Sequence, residues 1–201
     1  MKEESILVLA SASPRRVELL QQLGVVFRQL PANIDETQIA DETAEDYVQR
    51  LAREKARACA AALPDVTGVV LAADTCVVLD QQILGKPLDA LDALAMLARL
   101  SGREHTVLTA VCVRYGDEEL ETLSTTRVKF LTLQREQIEN YIASGEPFDK
   151  AGAYGIQGLA GAFVESLQGS YSGVVGLPLA QTWQLLQQAA VPTLLEREAR
   201  E

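Results

Sequence analysis

The segment that decides the fold is residues 6–16, which read ILVLASASPRR. Its first five residues form a continuous apolar run of the kind found in buried strands. Ser13 can cap a helix whose first position is Pro14, where the fixed φ and missing N–H of proline are tolerated. The segment therefore predicts a buried strand that leads directly into a helix, and Gly24 is suited to end that helix.

The turn between this strand and this helix carries two arginines, Arg15 and Arg16, beside Ser11. Free backbone N–H groups at the start of a helix, together with two guanidinium groups, can hold a polyphosphate. The same pattern also fits a capped surface helix with solvated arginines. The turn alone leaves both interpretations open.

Further along the chain, helical and strand patterns alternate, and antiparallel strands dominate the second half. We therefore expect an α/β fold with a mixed sheet flanked by helices, in a single domain over residues 1–201 with a frayed tail at 196–201. The expected helices span residues 43–62, 89–100, 132–141 and 178–189. The expected strands span residues 69–73, 77–79, 83–84, 106–115 and 120–131, and residues 145–176 are expected to form loops and strands.

Composition and charge exclude several classes of protein. A formal net charge of −10 argues against a nucleic-acid polymer as partner, because such binding needs broad basic surfaces. No apolar run approaches the roughly 20 residues of a membrane span, and the acidic start is unlike a signal peptide. The three cysteines are widely spaced, which favours buried, reduced thiols. We expect a soluble, cytoplasmic protein whose phosphate ligand, if any, is small.

Familiar catalytic motifs are lacking in the sequence. It contains one histidine, His105, and neither a zinc-protease motif nor a serine-hydrolase motif. The segment Gly85-Lys86-Pro87 resembles the end of a Walker loop, but Asp80 and Pro87 replace the glycine and the Ser or Thr that a Walker loop requires. The chemistry must therefore depend on other residues.

Four acidic or basic residues, at three places in the chain, are candidates, and each place has a simpler alternative. Asp74 follows an apolar strand, where partial burial would raise its pKa and suit it to act as a base or a metal ligand, although it could also be a strand-end cap. The pair Asp35 and Glu36 could bind Mg²⁺ or Mn²⁺, or could be ordinary solvated loop charges. Lys55 lies on the apolar face of the second helix and could bind phosphate or extend its ammonium into water.

Six segments together resemble the Maf family of nucleotide pyrophosphatases, and the resemblance runs from about Ile6 to Leu186. They are LASASPRR at 9–16, REKA at 53–56, AADT at 72–75, LGKP at 84–87, EPFDKAGAYGIQG at 146–158 and VVGLP at 174–178. The resemblance implies an elongated mixed sheet with a cleft between two lobes, similar to the house-cleaning inosine triphosphatases.

The same resemblance implies roles for individual residues. Asp74 would accept the proton of the attacking water. Arg15, Thr75 and Gln157 would select the substrate, and a divalent Mg²⁺ or Mn²⁺ ion would be held by Asp35 or Glu36. The phosphate-binding residues would be Ser11, Arg16, Lys55 and Lys86.

The form GAYGIQG at 152–158 is similar to the branch of the family that hydrolyses dTTP and UTP, with CTP and modified uridine triphosphates as further candidate substrates. The side-chain amide of Gln157 has both a donor and an acceptor for the O4 and N3–H edge of thymine or uracil. Two alternatives remain: a 7-methyl-GTP pyrophosphatase of the same fold, and a nucleotide-binding regulator of cell division. The family also suggests a homodimer.

Overall fold

A computed structural model of the protein describes residues 7–63 and 68–196. Ile6, which begins the predicted first strand, and residues 197–201 of the predicted frayed tail lie outside the described residues. The strands are β1 (Leu7–Leu9), β2 (Phe27–Gln29), β3 (Val69–Leu79), β4 (Gln82–Leu84), β5 (Glu104–Tyr115), β6 (Glu118–Phe130) and β7 (Val164–Gln168). The helices are α1 (Pro14–Gln22), α2 (Ala44–Ala61), α3 (Ala90–Leu100), α4 (Arg135–Ala143), α5 (Tyr171–Val175) and α6 (Leu179–Gln188).

Three helices begin at the polar residues that the sequence assigns as caps. The side chains of Ser13, Thr43 and Asp89 each accept a hydrogen bond from the backbone amide three residues later, at the start of α1, α2 and α3. Such a bond satisfies one of the amides that the first turn of a helix leaves without a partner. The predictions of these three helices, and of α6, are confirmed.

The seven strands form one mixed sheet in the order β2-β1-β3-β5-β6-β7, with β4 paired to β3. β1 is parallel to both β2 and β3, whereas the β3–β4 and β6–β7 pairs are antiparallel. The prediction of a mixed sheet flanked by helices is therefore confirmed. The three-residue strand β2 was not predicted, because Phe27-Arg28-Gln29 is short and largely exposed and carries no alternating pattern.

The prediction that Asp74 ends a strand is wrong. β3 is continuous over eleven residues, so Asp74 lies inside it and the two predicted strands at 69–73 and 77–79 are one. β1 ends opposite Leu71 in the parallel register, and β3 then continues toward its antiparallel pairing with β4. The β-branched residues after Asp74 favour extension, and a neighbouring lysine compensates the buried carboxylate.

Two further boundaries differ from the prediction. α4 begins at Arg135 rather than near Thr132, because Gln134 and Gln137 form a reciprocal capping box there, and it ends at Ala143. Residues 145–176 contain one strand, β7, and the short helix α5. Most of the remainder consists of short 3₁₀ turns at Glu146–Asp149, Ala151–Ala153 and Leu159–Phe163. The prediction that residues 145–176 form loops and strands is therefore only partly correct.

The chain divides into two compact units. The described part of the first unit contains residues 7–63, 68–74, 109–123 and 176–196, and the second unit contains residues 75–108 and 124–175. The core of the first includes fully buried leucines from β1, α1, α2, β3 and α6. The core of the second is formed by residues such as Leu97, Phe130 and Tyr154. The prediction of a single domain stays a prediction.

Two other features of the sequence have a structural counterpart. Cys59, Cys76 and Cys112 are all buried, as predicted. His105 is a buried strand residue whose Nε2 lies 2.8 Å from the hydroxyl of Tyr154, while its Nδ1 has no hydrogen-bond partner among the described residues. Among the described residues, no helix combines the length and the apolar character that crossing a bilayer requires.

Candidate active site

A buried ion pair joins α2 to β3 in the first unit. The Nζ atom of Lys55 lies 2.7 Å from Oδ1 of Asp74, and the two residues are only 8% and 7% exposed. Lys55 lies on the apolar face of α2 with Leu51 and Cys59, as its spacing predicts. Its ammonium is buried and paired rather than extended into water, so the snorkelling alternative is wrong.

Glu36 contributes a second carboxylate to this lysine. Its Oε1 lies 2.7 Å from Nζ of Lys55, so one ammonium binds both Glu36 and Asp74. The hydroxyl of Tyr47, in the first turn of α2, donates to the backbone carbonyl of Glu36 at 3.0 Å. Asp35 is arranged differently, because its exposed carboxylate accepts the amide of Thr37 at 2.9 Å. Of the predicted acidic pair, the structure therefore brings Glu36 to the Lys55–Asp74 pair.

The turn between β1 and α1 is held by contacts from within the same unit. Arg16 donates from Nε to the carbonyl of Gly176 at 2.8 Å and from Nη1 to the hydroxyl of Ser11 at 3.3 Å. The carbonyl of Ser11 accepts from Nε2 of Gln29 on β2 at 2.8 Å. Arg16 is thus a half-buried, fixed side chain, and the alternative of solvated arginines is wrong for it. Arg15, next to it, is also half-buried.

The charges of these residues act on one another. Burial raises the pKa of Asp74 above the ordinary aspartate value, while the positive charges of Lys55 and Arg16 partly oppose that rise. Burial likewise lowers the pKa of Arg16, and Asp74 opposes this change. Asp74, Lys55, Glu36 and Arg16 therefore form one electrostatic cluster, which we call the acid–cation cluster.

The other predicted residues belong to the second unit. Thr75 follows Asp74 along β3, and because strand side chains alternate, it points away from the face where Lys55 meets Asp74. Lys86 is exposed after β4, and the carbonyl of the preceding Gly85 accepts the amide of Gly152 at 3.0 Å. Gln157 is exposed in a tight turn, closed by a 3.1 Å bond from the amide of Gly158 to the carbonyl of Gly155.

The acidic residues of the cluster can be tested against the metal that the family resemblance implies. Within residues 7–63 and 68–196, no three histidine, cysteine or acidic side chains are grouped as a metal site. Mg²⁺ and Mn²⁺ sites that act on phosphates usually take one or two carboxylates and complete the shell with water and substrate oxygens. The carboxylate of Glu36, about half exposed beside the Lys55–Asp74 pair, is a ligand of this kind.

Several residues that support the site were not predicted. Gln29 and Gly176 fix the turn around Ser11 and Arg16, and Tyr47 fixes the backbone of Glu36. Gly176 lies in the VVGLP segment at 174–178, one of the six segments of the family resemblance, so the sequence could have indicated it as a site residue. Gln29 and Tyr47 lie outside the six segments, and each acts on a backbone carbonyl of another part of the chain, so the sequence gives no comparable signal for them.

These features define an α/β protein in which a cation-lined turn at a helix start and a buried, lysine-bound acid belong to the same unit. The Maf-like protein family model matches residues 6–189 of the chain. A dTTP/UTP pyrophosphatase of Alcanivorax borkumensis is 57% identical over 93% of this chain and 97% of its own length. Proteins with the same name in Methylobacillus flagellatus and Shewanella oneidensis are 56% and 52% identical, covering 91% and 92% of this chain and 92% and 98% of their own lengths. The chain belongs to the Maf family.

A solved structure of the Staphylococcus aureus Ham1 protein also matches in part. It is 15% identical, with a TM-score of 0.42, and the match covers 63% of this chain and 72% of that chain. The fold described above rests on the strands and helices of the chain itself.

Proposed function

We propose that the protein is a nucleoside triphosphate pyrophosphatase that hydrolyses dTTP and UTP to the monophosphate and pyrophosphate. The observation that carries this proposal is the buried Asp74, bound by Lys55, in the same unit as the cation-lined turn at Ser11–Arg16. The names and the high identity of the relatives support the same reaction and the same bases.

In the proposed mechanism Asp74 is the general base. Lys55 holds Oδ1, and Oδ2 then accepts a proton from the water that attacks the α-phosphorus. A carboxylate whose pKa is raised by burial is a stronger base than an ordinary aspartate once it is ionised, and the positive charges of Lys55 and Arg16 oppose that rise and favour the ionised form. The attack forms the new P–O bond of the monophosphate and breaks the bond to the β-phosphate oxygen, so pyrophosphate leaves.

The cations hold the triphosphate during this attack. Arg15 and Arg16, with the backbone amides at the start of α1, are suited to phosphate oxygens, because a helix start is electropositive and guanidinium groups bind such oxygens in a fork. Ser11 lies next to Arg16, and Lys55 lies next to Asp74. Lys86 is proposed as a further phosphate ligand. These groups neutralise a substrate that the net charge of −10 would otherwise repel.

Glu36 is the proposed holder of a divalent ion, Mg²⁺ or Mn²⁺, whose other positions would be filled by water and phosphate oxygens. Such an ion, when bound, offsets the negative charge that develops on the phosphate oxygens. Asp35 is the weaker candidate, because its carboxylate is engaged with the amide of Thr37 in its own loop. Gln157, Arg15 and Thr75 are the proposed determinants of base selection. The expected location is the cytoplasm and the expected assembly is a homodimer.

The test is pyrophosphate release from separate solutions of dTTP, UTP, CTP, GTP and 7-methyl-GTP, each with Mg²⁺, with Mn²⁺ and with EDTA. We expect metal-dependent release from the pyrimidine nucleotides, with one pyrophosphate and one monophosphate per turnover. Release from 7-methyl-GTP alone would replace the proposal with the sister activity. No release from any nucleotide would contradict the enzyme proposal and favour a nucleotide-binding regulator of cell division.

A further inference from the structure

The short segment that presents Gln157 is held at both ends by one pair of side chains. We call residues 155–159 the Gln157 loop. Oε2 of Glu146 accepts the amide of Leu159 at 3.0 Å, and Oε1 of Glu146 accepts the hydroxyl of Tyr141 at 2.9 Å. The oxygen of that hydroxyl accepts the amide of Gly155 at 3.2 Å. Tyr141 and Glu146 thus bind the first and the last amide of the loop.

The glycines of the loop allow this close approach. A Cβ atom at position 158 would lie 2.3 Å from both carboxylate oxygens of Glu146, and a Cβ atom at position 155 would lie 2.6 Å from Cε of Lys150. Lys150 is itself fixed, because its Nζ donates to the carbonyl of Glu146 at 2.6 Å. The Gln157 loop therefore lies directly on Glu146 and Lys150, and a side chain at either glycine would require the facing side chain or the loop to shift.

The supporting pair is anchored in the core of the second unit. Tyr141 is buried on α4, and its ring lies edge-on to Phe163 with centroids 5.2 Å apart. Burial and the neighbouring Glu146 both raise the pKa of Tyr141, so its hydroxyl stays protonated and donates to the carboxylate. The two hydrogen bonds of this hydroxyl consequently have a fixed direction.

A fixed loop matters for base selection because the amide of Gln157 is nearly symmetric. A half-turn of the amide exchanges its donor and its acceptor, so a mobile glutamine could pair with cytosine as well as with uracil or thymine. Discrimination requires the backbone that carries the amide to be held in one place, with its hydrogen-bonding partners on rigid elements.

We propose that Tyr141 and Glu146 are positioning residues that set the preference for uracil and thymine over cytosine by fixing the Gln157 loop. This inference rests on the proposed pyrimidine pyrophosphatase function. Neither side chain is proposed to contact the nucleotide. Both act through the backbone amides of Gly155 and Leu159.

The test compares the ratio of kcat/KM for UTP to kcat/KM for CTP in wild type, Tyr141→Phe and Glu146→Gln, with Gln157→Ala as the reference for full loss. Tyr141→Phe keeps the buried ring and removes both hydrogen bonds. Glu146→Gln offers a single acceptor oxygen to two donors, so one bond is lost. We expect the ratio to fall about tenfold in each variant, the effect of roughly one hydrogen bond.

The ratio is insensitive to a loss of folded protein, since unfolding lowers both rates equally. The matched control is Glu139→Gln, the same change on α4 at an exposed residue paired with Arg135, and its ratio should equal that of wild type. A wild-type ratio in both Tyr141→Phe and Glu146→Gln, or equal rates with UTP and CTP in wild type, would overturn this inference and leave the pyrophosphatase proposal intact. An enzyme inactive with every nucleotide would contradict both.

Discussion

At the scale of the residue, the proposed mechanism depends on Asp74 acting as a base while it is buried. Burial alone would favour its protonated form, and the ammonium of Lys55 at 2.7 Å favours the ionised form. Glu36 binds the same ammonium, and its negative charge again raises the pKa of Asp74. The acidity of Asp74 is therefore a balance that single substitutions can shift in either direction.

Lys55→Gln should move the acid limb of the pH profile of kcat/KM to higher pH. The substitution removes the charge that favours ionised Asp74, so the proton is lost at higher pH than in wild type. The wild-type limb should itself lie above the ordinary aspartate value of 3.8. The profile is measured with dTTP over a range of pH at fixed ionic strength. A limb that stays in place or moves to lower pH would contradict the role of Lys55.

His105 should make the stability of the protein depend on pH. Burial lowers its pKa from 6.5 to about 4. Between these pH values the imidazole of His105 binds a proton in the unfolded chain but not in the folded chain. The free energy of unfolding therefore falls as pH falls from 6.5 toward 4. The loss is about 3 kcal/mol, at about 1.4 kcal/mol per pKa unit.

His105→Gln should flatten that dependence between pH 7 and pH 5, where few carboxylates titrate. The measurement is urea unfolding at several pH values for both proteins, and the slope is compared rather than the absolute stability. His105 is the only histidine in the chain, so no second imidazole contributes. Equal slopes in the two proteins would show that His105 is not the buried titrating group.

At the scale of the element, α2 fixes the loop that carries Glu36. Arg50 on α2 binds both oxygens of Glu42, at 2.6 and 2.8 Å, and donates to the carbonyl of Thr37 at 3.2 Å. Glu42 in turn accepts the amide of Ile39 at 3.1 Å. One arginine thereby closes the loop between Glu36 and the start of the helix.

Arg50→Ala should lower kcat/KM about tenfold, because the loosened loop no longer holds Glu36 beside Lys55. The matched control is Arg53→Ala on the same helix, which removes an ion pair to Glu121 outside this loop and should leave kcat/KM unchanged. Hydrogen exchange should increase at residues 36–42 only in Arg50→Ala. Unchanged kinetics in Arg50→Ala would mean that the loop needs no support from α2.

The hairpin between β3 and β4 contains local strain that a substitution can relieve. Asp80 and Gln81 form its two-residue turn, and both have positive φ, at 51° and 63°. Such turns favour glycine at the second position. Gln81→Gly should raise the free energy of unfolding by about 0.5 to 1 kcal/mol without changing turnover, as measured by urea unfolding. A destabilised variant would contradict this account of the turn.

The elements that the sequence predicted well are those specified locally. The caps Ser13, Thr43 and Asp89 mark helix starts because each acts on an amide three residues away. β2 was missed because its three residues are specified by pairing with β1. The continuation of β3 through Asp74 was missed for a related reason, since the compensating charge comes from Lys55 on another element.

At the scale of the whole molecule, the sequence named residues that the fold brings together in the candidate site, but it did not predict their contacts. Motif resemblance singled out Asp74, Lys55 and Arg16, and the spacing along α2 placed Lys55 on the buried face. It could not separate Glu36 from Asp35, because neighbouring loop residues differ only in where the folded loop directs them. Such distinctions depend on contacts between segments that are distant in sequence.

The acidic character of the molecule gives these local cations their importance. With a net charge of −10, the protein as a whole repels a nucleoside triphosphate, so in the proposed function the phosphates are held locally, by Arg15, Arg16 and the amides at the start of α1 beside the acid–cation cluster. The central claim is therefore that this cluster directs water, activated by Asp74, to the α-phosphorus.

Hydrolysis of dTTP in ¹⁸O-labelled water tests that claim most directly. The account predicts the label in dTMP and none in pyrophosphate. It also predicts a loss of turnover of about 10² to 10⁴-fold in Asp74→Asn, the range for a removed general base, and wild-type turnover in Asp117→Asn, an exposed turn residue. Label in pyrophosphate, or turnover of Asp74→Asn within tenfold of wild type, would contradict it.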